Sequence, residues 1–327
     1  MTPDDRTGTA PTEKRRVAYV MPIYNEEGNI PVLYERLVAV TAGLADRYDI
    51  EFVFVDDGSR DRSLELLQGL RAQDPRVSVY SFARNYGHQI AVTAGIDVAD
   101  ADAVIVMDSD MQDPPEVSLE LIARWEDGVD VAYAQRRSRD DGVFKRASAG
   151  GFYWLLSKLA HTEIPRDTGD FRLMDRRVVE ELRRYPEHNR FLRGIIAGIG
   201  FRQEAVLFDR DARHAGTTGY PLKKMIKLAS DGIIGFSSAP LRLISGVGGF
   251  LSIAALLWTI YLLIARIVNP ESVIEGWTYL AAGMFLLGGI QLMMLGVLGS
   301  YIGRIYEEVQ GRPLYAFAVR EAGATRS

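Results

Sequence analysis

An α/β domain with a mostly parallel sheet, followed by a two-helix transmembrane hairpin, is the fold class the sequence predicts. Three observations carry it. Short runs rich in apolar and β-branched residues alternate with stretches of helical periodicity. Polar clusters stand where those runs stop. Charges, frequent up to Arg242, then nearly vanish: the 23 residues between Arg242 and Arg266 and the 28 between Glu275 and Arg304 carry none. Strands alternating with helices make βαβ units and a parallel sheet. A membrane-crossing helix needs about 20 apolar residues.

Taken in order, Arg16–Met21 reads as a strand ended by Pro22. A helix follows from Asn25 onward, with Ile30, Leu33, Leu37 and Val40 at helical spacing. Glu51–Val55 is a second strand, broken by Asp56-Asp-Gly-Ser59. Asp61 is placed to cap the next helix, whose apolar positions include Leu64, Leu67 and Leu70. Val77–Phe82 is a third strand, leading into Arg84-Asn-Tyr-Gly-His88 and a helix to about Ala99. Val104-Ile-Val-Met is a fourth, stopping at Asp108, and Val129–Ala134 a fifth.

Ligands of such sheets bind beyond the carboxyl ends of the strands. Pro22–Glu26, Asp56-Asp57, Arg84-Asn85 and Asp108-Ser-Asp110 each begin where a strand stops, so four polar clusters converge on one rim. Residues two apart on extended backbone project to the same side, which lets Asp108 and Asp110 aim at one point. With the Gln112 carbonyl nearby, they suit a hard divalent cation held together with phosphates. Neither G-x-G-x-x-G nor G-x-x-x-x-G-K-[ST] occurs in the expected turns, which disfavours nicotinamide and ATPase chemistry.

The chain of 327 residues is 47% hydrophobic, has a net charge of −5 and contains no cysteine. That charge argues against general nucleic-acid affinity. The lack of cysteine removes disulfides and thiolate metal sites. Residues 1–15 are polar, without a secretory signal, and are expected to be a disordered tail. The expected layout is then an α/β domain over 16–220, a juxtamembrane interfacial helix over 221–240, two spans over 241–309 and a cytoplasmic tail over 310–327. Lys223, Lys224, Lys227 and Arg242 precede the first span, and Arg304, Arg312 and Arg320 follow the second. The positive-inside rule therefore expects a multi-pass protein of the cell (inner) membrane with the large domain and both termini cytoplasmic.

The segments MPIYNEEGNI, VDDGSRDRS, FARNYGHQIAVTAGID, MDSDMQDPPE, DTGDFRLMDRRVV, NRFLRGI and the later RHAGTTGY and FSSAPLR occur in that order. Together they resemble a family 2 glycosyltransferase with the nucleotide-sugar-binding fold called GT-A. More narrowly they resemble the polyisoprenyl-phosphate glycosyltransferases, which include dolichyl-phosphate mannose synthases and bacterial undecaprenyl-phosphate sugar transferases. The resemblance implies a UDP- or GDP-sugar donor, a polyprenyl phosphate acceptor, Mg²⁺ or Mn²⁺, an inverting transfer and a homo-oligomer, a tetramer in related enzymes. It implies that Pro22, Tyr24, Asn25 and Glu26 line the nucleotide pocket, Tyr24 being available to stack on the base. Asp57 would hydrogen-bond the base, with Arg84 near the nucleotide. Asp108, Asp110 and Gln112 would hold the metal against the diphosphate, and Arg213 would close over it. Arg136 and then Arg139 are the candidates for the acceptor phosphate, and Asp170 is the catalytic candidate, as a base or as an orienting group.

His88, His161, His188 and His214 lack paired ligand spacing and read as structural or peripheral, His214 being the nearest to an exception. Family members often carry Ser-Lys-Tyr where this chain has Thr218-Gly-Tyr220, a departure that removes a lysine contact to phosphate and loosens the local loop. Two other readings are a processive polysaccharide synthase and a non-catalytic membrane adaptor. The first has no Gln-x-x-Arg-Trp motif here, and intact acidic and arginine clusters argue against the second.

Overall fold

The structure, a computed structural model, describes residues 14–137, 168–185, 187–188, 190–209, 239–268 and 277–323. The side chains of part of 239–286 are also outside the described residues. The chain divides into two compact units, one of residues 1–147, 162–219 and 313–327, the other of 148–161 and 220–312.

In the first unit the strands are β1 Arg15–Ile23, β2 Tyr48–Asp56, β3 Val77–Phe82, β4 Ala103–Val106, β5 Val131–Arg136, β6 Thr168–Asp175, β7 Gln203–Phe208 and β8 Phe317–Glu321. They form one sheet in the order β7-β5-β6-β4-β1-β2-β3-β8. β6 runs antiparallel to β4 and β5, and β8 antiparallel to β3, while the other pairings are parallel. The expected mostly parallel sheet is there.

Its strands are apolar on both faces because helices cover both. Val17, Tyr19, Met21 and Ile23 pack on one side with α1 (Ile30–Ala42), α2 (Ser63–Gln73) and α4 (Val117–Glu126). Ala18 and Val20 pack on the other with α3 (His88–Val98), α5 (Arg176–Arg183) and α6 (Leu192–Ile199). The alternation follows from the two-residue period of a strand. β1, β2 and β3 step one way across the sheet with α1 and α2 on one face. The chain then returns to β4 with α3 on the opposite face, as right-handed crossovers require. The step leaves a crevice between the carboxyl ends of β1 and β4, the place where open α/β sheets bind ligands.

Several expectations are corrected. β1 does not end at Pro22 but pairs onward, Pro22 with Val55 and Ile23 with Asp56. β4 has stopped at Val106, so the missing N–H of Pro22 breaks no ladder, and the Pro22 carbonyl accepts from Ser109 Oγ at 3.0 Å. Asp61 does not stand at the cap of α2, yet its Oδ1 accepts from the Ser63 N–H at 3.0 Å, one residue earlier than expected. Residues 310–327, expected as a tail, carry β8, which seals the outer edge of β3.

In the second unit both charge-poor stretches are helical, α7 over Ala239–Val268 and α8 over Trp277–Val309. Among the described residues, however, no helix is long and apolar enough to cross a membrane. The expected transmembrane hairpin finds no support there, with many of its side chains outside those residues. The expected interfacial helix over 221–240 also falls outside them, apart from Ala239 and Pro240.

Candidate active site

Each strand end contributes a short polar segment to the crevice. After β1, Asn25 takes a left-handed conformation (φ 56°). Its N–H donates to Ser59 Oγ at 3.0 Å, and its Oδ1 accepts from the Arg60 N–H at 2.8 Å. Two rim loops are thereby stitched together. Tyr24 stands out from the rim, 43% exposed, while Pro22 is buried beneath it. Glu26 accepts from Asn29 Nδ2 at 2.5 Å, and its N–H donates to Ser63 Oγ at 2.9 Å.

After β2, Asp56 faces inward and ties the sheet together through Ser81 Oγ at 2.6 Å. Asp57 is buried and receives the Tyr86 N–H at 2.6 Å, the Gly87 N–H at 2.9 Å and Asn85 Nδ2 at 2.9 Å. Burial pushes its carboxyl up against those donors, and the Asp56 charge adds to the rise. Arg84 lies exposed with its guanidinium 4.2 Å from the Tyr86 ring centre, a cation–π arrangement. Gly58 (φ 68°) lets these loops meet, since a Cβ there would sit 2.7 Å from the Arg84 carbonyl carbon.

The centre of the crevice is Asp170. Its Oδ1 accepts from Arg193 Nε at 2.7 Å, and its Oδ2 from Gln89 Nε2 at 3.1 Å, with His88 Nε2 at 3.0 Å. Burial would raise this carboxyl, but the bonds from His88 and Arg193 and the charges of Arg193 and Arg172 hold it far below the usual range. Asp170 is therefore a fixed negative charge with both oxygens engaged. A carboxylate held this far down is a poor proton acceptor at neutral pH. Arg172 lies buried beside it, donating to the Asp170 and Gly169 carbonyls, and burial lowers its guanidinium to about 10.

Asp108 comes within 3.6 Å of His88 Nε2. Burial, with the charges of Asp170, Asp113 and Asp110, raises it to about 6 against the pull of His88. Burial also works against His88, yet the Asp170 hydrogen bond and the two carboxylate charges leave it raised. One ligand atom each from His88, Asp108 and Asp170 fall within 4.8 Å of one another. Asp108 Oδ1 is buried without a hydrogen-bond partner, the condition a cation would relieve. These residues fit a divalent ion. Asp110 is not in that group; its Oδ1 accepts from the Gln112 N–H at 3.1 Å across Met111 (φ 61°), and Gln112 is buried.

Arg136, 20% exposed at the end of β5, lies 3.7 Å from the buried Asp113. Arg139, Arg213, Asp167, His161 and His214 lie outside the described residues. His88, expected to be structural or peripheral, meets Asp170 and Asp108 within the site, while His188 is not part of that cluster. Arg193, Gln89 and Arg172 had no expected role. The usable signal was position: His88 closes the polar segment after β3, on the same rim as the rest. Ligand spacing along the chain says nothing when each ligand arrives from a different strand end.

Fold and crevice define a class, a GT-A-like α/β domain whose site is assembled from polar loops on the carboxyl ends of its strands. The chain belongs to glycosyl transferase family 2, whose family model matches residues 19–183, and it is a glycosyltransferase. The uncharacterized glycosyltransferase YkcC of Bacillus subtilis is 48% identical over 92% of this chain and 93% of its own. The bactoprenol glucosyl transferase of Shigella phage SfII is 40% identical over 92% of this chain and 96% of its own. The prophage bactoprenol glucosyl transferase homolog of Escherichia coli K12 is 38% identical over 92% and 97%.

Proposed function

We propose that this chain transfers a sugar from a nucleotide-sugar to a polyprenyl phosphate at a membrane, with a divalent metal in the crevice. The observation that carries this reading is the 40% identity to bactoprenol glucosyl transferases over nearly the full length of both chains. The acceptor phosphate oxygen attacks the anomeric carbon with inversion. The bond to the diphosphate breaks, and its electron pair leaves with the diphosphate. A phosphate monoester has a second pKa of about 6 and is already ionised at neutral pH, so no strong base is needed. That agrees with an Asp170 whose oxygens are both occupied.

A bound ion would supply positive charge for the departing diphosphate. Asp108, Asp170 and His88 would hold it, the ion replacing the hydrogen bond between His88 and Asp170, with Asp110 and Gln112 close by in sequence. Asp57, Arg84 and the Pro22–Glu26 loop form the nucleotide side. Arg136, joined by Arg139, would pair with the acceptor phosphate through a bidentate guanidinium fork. Arg213 would close over the diphosphate.

The membrane part of the proposal rests on the charge-free lengths of α7 and α8 and on apolar side chains exposed along both, among them Phe250, Leu257, Met284, Leu292 and Ile302. Protein that leaves the membrane fraction in alkaline carbonate would refute it. A homo-oligomer also belongs to the proposal, and a monomer mass from light scattering in detergent would exclude it.

The deciding experiment mixes purified full-length protein with labelled UDP- and GDP-sugars, Mn²⁺ or Mg²⁺ and polyprenyl phosphate. A lipid-extractable sugar phosphate of the right mass is expected, and it should vanish with chelator. No lipid-linked product from any donor would overturn the reading.

A further inference from the structure

The segment that follows α8 returns to the first unit, and it does more than cover an edge. The Ala316 carbonyl accepts from the Ala83 N–H at 3.0 Å, at the start of the loop that carries Arg84 and His88. The Tyr315 ring stacks on Phe82 with centroids 5.3 Å apart and planes 29° apart, and Phe82 meets Tyr86 edge-on at 5.3 Å. Tyr315 Oη also donates to Asp97 Oδ2 at 3.1 Å, on the same α3 that begins at His88. Tyr86 in turn carries the Arg84 guanidinium on its face and gives its N–H to Asp57. A continuous row of rings therefore joins the carboxyl-terminal segment to the nucleotide side of the crevice.

The far end of the segment is fastened too. The Gly323 N–H donates to Ser78 Oγ at 2.7 Å, and Ser78 donates onward to the buried Glu51 at 2.5 Å. A Cβ on residue 323 would lie 2.8 Å from the Pro75 carbonyl oxygen, so the slot admits glycine alone without rearrangement. Gln68 and Arg71 of α2 hold Glu321 and the Ala322 carbonyl between these ends. A loop anchored only by its own backbone would be free to shift Arg84 and the donors to Asp57. Fastened on both sides, it cannot do so cheaply.

We propose that Tyr315 is a positioning residue for donor binding: through Phe82 and Tyr86 it fixes the loop that presents Arg84 and orients Asp57. The inference rests on the functional reading above, in which this side of the crevice takes the nucleotide. The test measures donor KM, acceptor KM, kcat and thermal midpoint for the full-length protein carrying Tyr315→Ala, Tyr315→Phe or Phe317→Leu. One lost aromatic contact predicts a rise in donor KM of about tenfold for Tyr315→Ala, with kcat and acceptor KM within about twofold of wild type. Tyr315→Phe keeps the ring and should restore donor KM to within about threefold.

An unmoved donor KM in Tyr315→Ala overturns the proposal. So does a parallel loss of kcat, both KM values and thermal midpoint that phenylalanine fails to rescue, since that is the signature of a merely structural contact. Where the alanine variant does not accumulate, Phe317→Leu decides by the same split. Wild-type protein that makes no product brings down the functional reading and this one with it. Product formation with an unmoved donor KM brings down this one alone.

Discussion

Asp108→Asn should make the metal-stripped protein more stable while destroying its activity. The wild-type carboxylate is raised from 3.8 to about 6, first by burial and then by its like-charged neighbours. Each unit is worth about 1.36 kcal/mol, so keeping this group ionised at neutral pH costs at most about 3 kcal/mol. The side chain is 31% exposed and attracts His88 from 3.6 Å. Screening and the loss of that attraction bring the expected gain from asparagine down to ~1–2 kcal/mol. The pH dependence has a definite sign. A carboxyl whose folded pKa lies above its unfolded value penalises the fold fully above the folded value, and the penalty fades as pH falls toward the unfolded one. The advantage of Asp108→Asn should thus be complete above about pH 7 and shrink to about a third near pH 4.5. Denaturation in detergent with excess chelator, followed across that range, measures it. An asparagine variant less stable than wild type at neutral pH, or a gap indifferent to pH, would refute the reasoning. Turnover should fall by at least ~100-fold, in line with a lost electrostatic group.

Arg193→Met removes the charged partner of Asp170 Oδ1 and should cost ~2–3 kcal/mol in denaturant, less than a fully buried pair because the arginine is partly exposed. Asp170 is depressed, so this stabilisation is present at neutral pH and is lost only as pH falls below the ordinary carboxylate range; a loss confined to alkaline pH would contradict it. Asp170→Asn should let His88 fall back toward its ordinary pKa, read from the imidazole resonances, with kcat reduced ~100-fold or more. Gly58→Ala meets both a positive φ and the Arg84 backbone and should cost ~2 kcal/mol or more while raising donor KM. Gly95→Ala is the contrasting case: its Cβ would lie 2.2 Å from Val20 Cγ1, inside the core. It should cost ~1–3 kcal/mol in unfolding yet leave the KM values of the surviving enzyme unchanged.

The central strands were legible because each is buried on both faces and so reads as an unbroken apolar run between turn residues. β6 was not, since Thr168–Asp175 carries Asp170 and Arg172 into a polar site and shows no simple alternation. β8 was hidden by brevity and by its place after two long helices, where a five-residue stretch with an arginine and a glutamate reads as a tail. The rim itself could be assembled from strand ends alone. What could not be read was which side chains meet across it. Asp170 finds Arg193 from α6 and His88 from α3, at sequence separations of 23 and 82, and no local pattern encodes that encounter. Spacing arguments favoured Asp108 with Asp110, whereas the fold brings Asp108 to His88 and Asp170.

β8 comes long after β3 in the chain, beyond two long helices. Until everything between Phe208 and Phe317 has been synthesised, β3 keeps an unpaired flank, with Tyr80 and Phe82 beside it. Such a flank recruits foreign strands. A polypeptide cut short before Phe317 is thus expected to clump, so that β8 acts as a seal on the flank of β3.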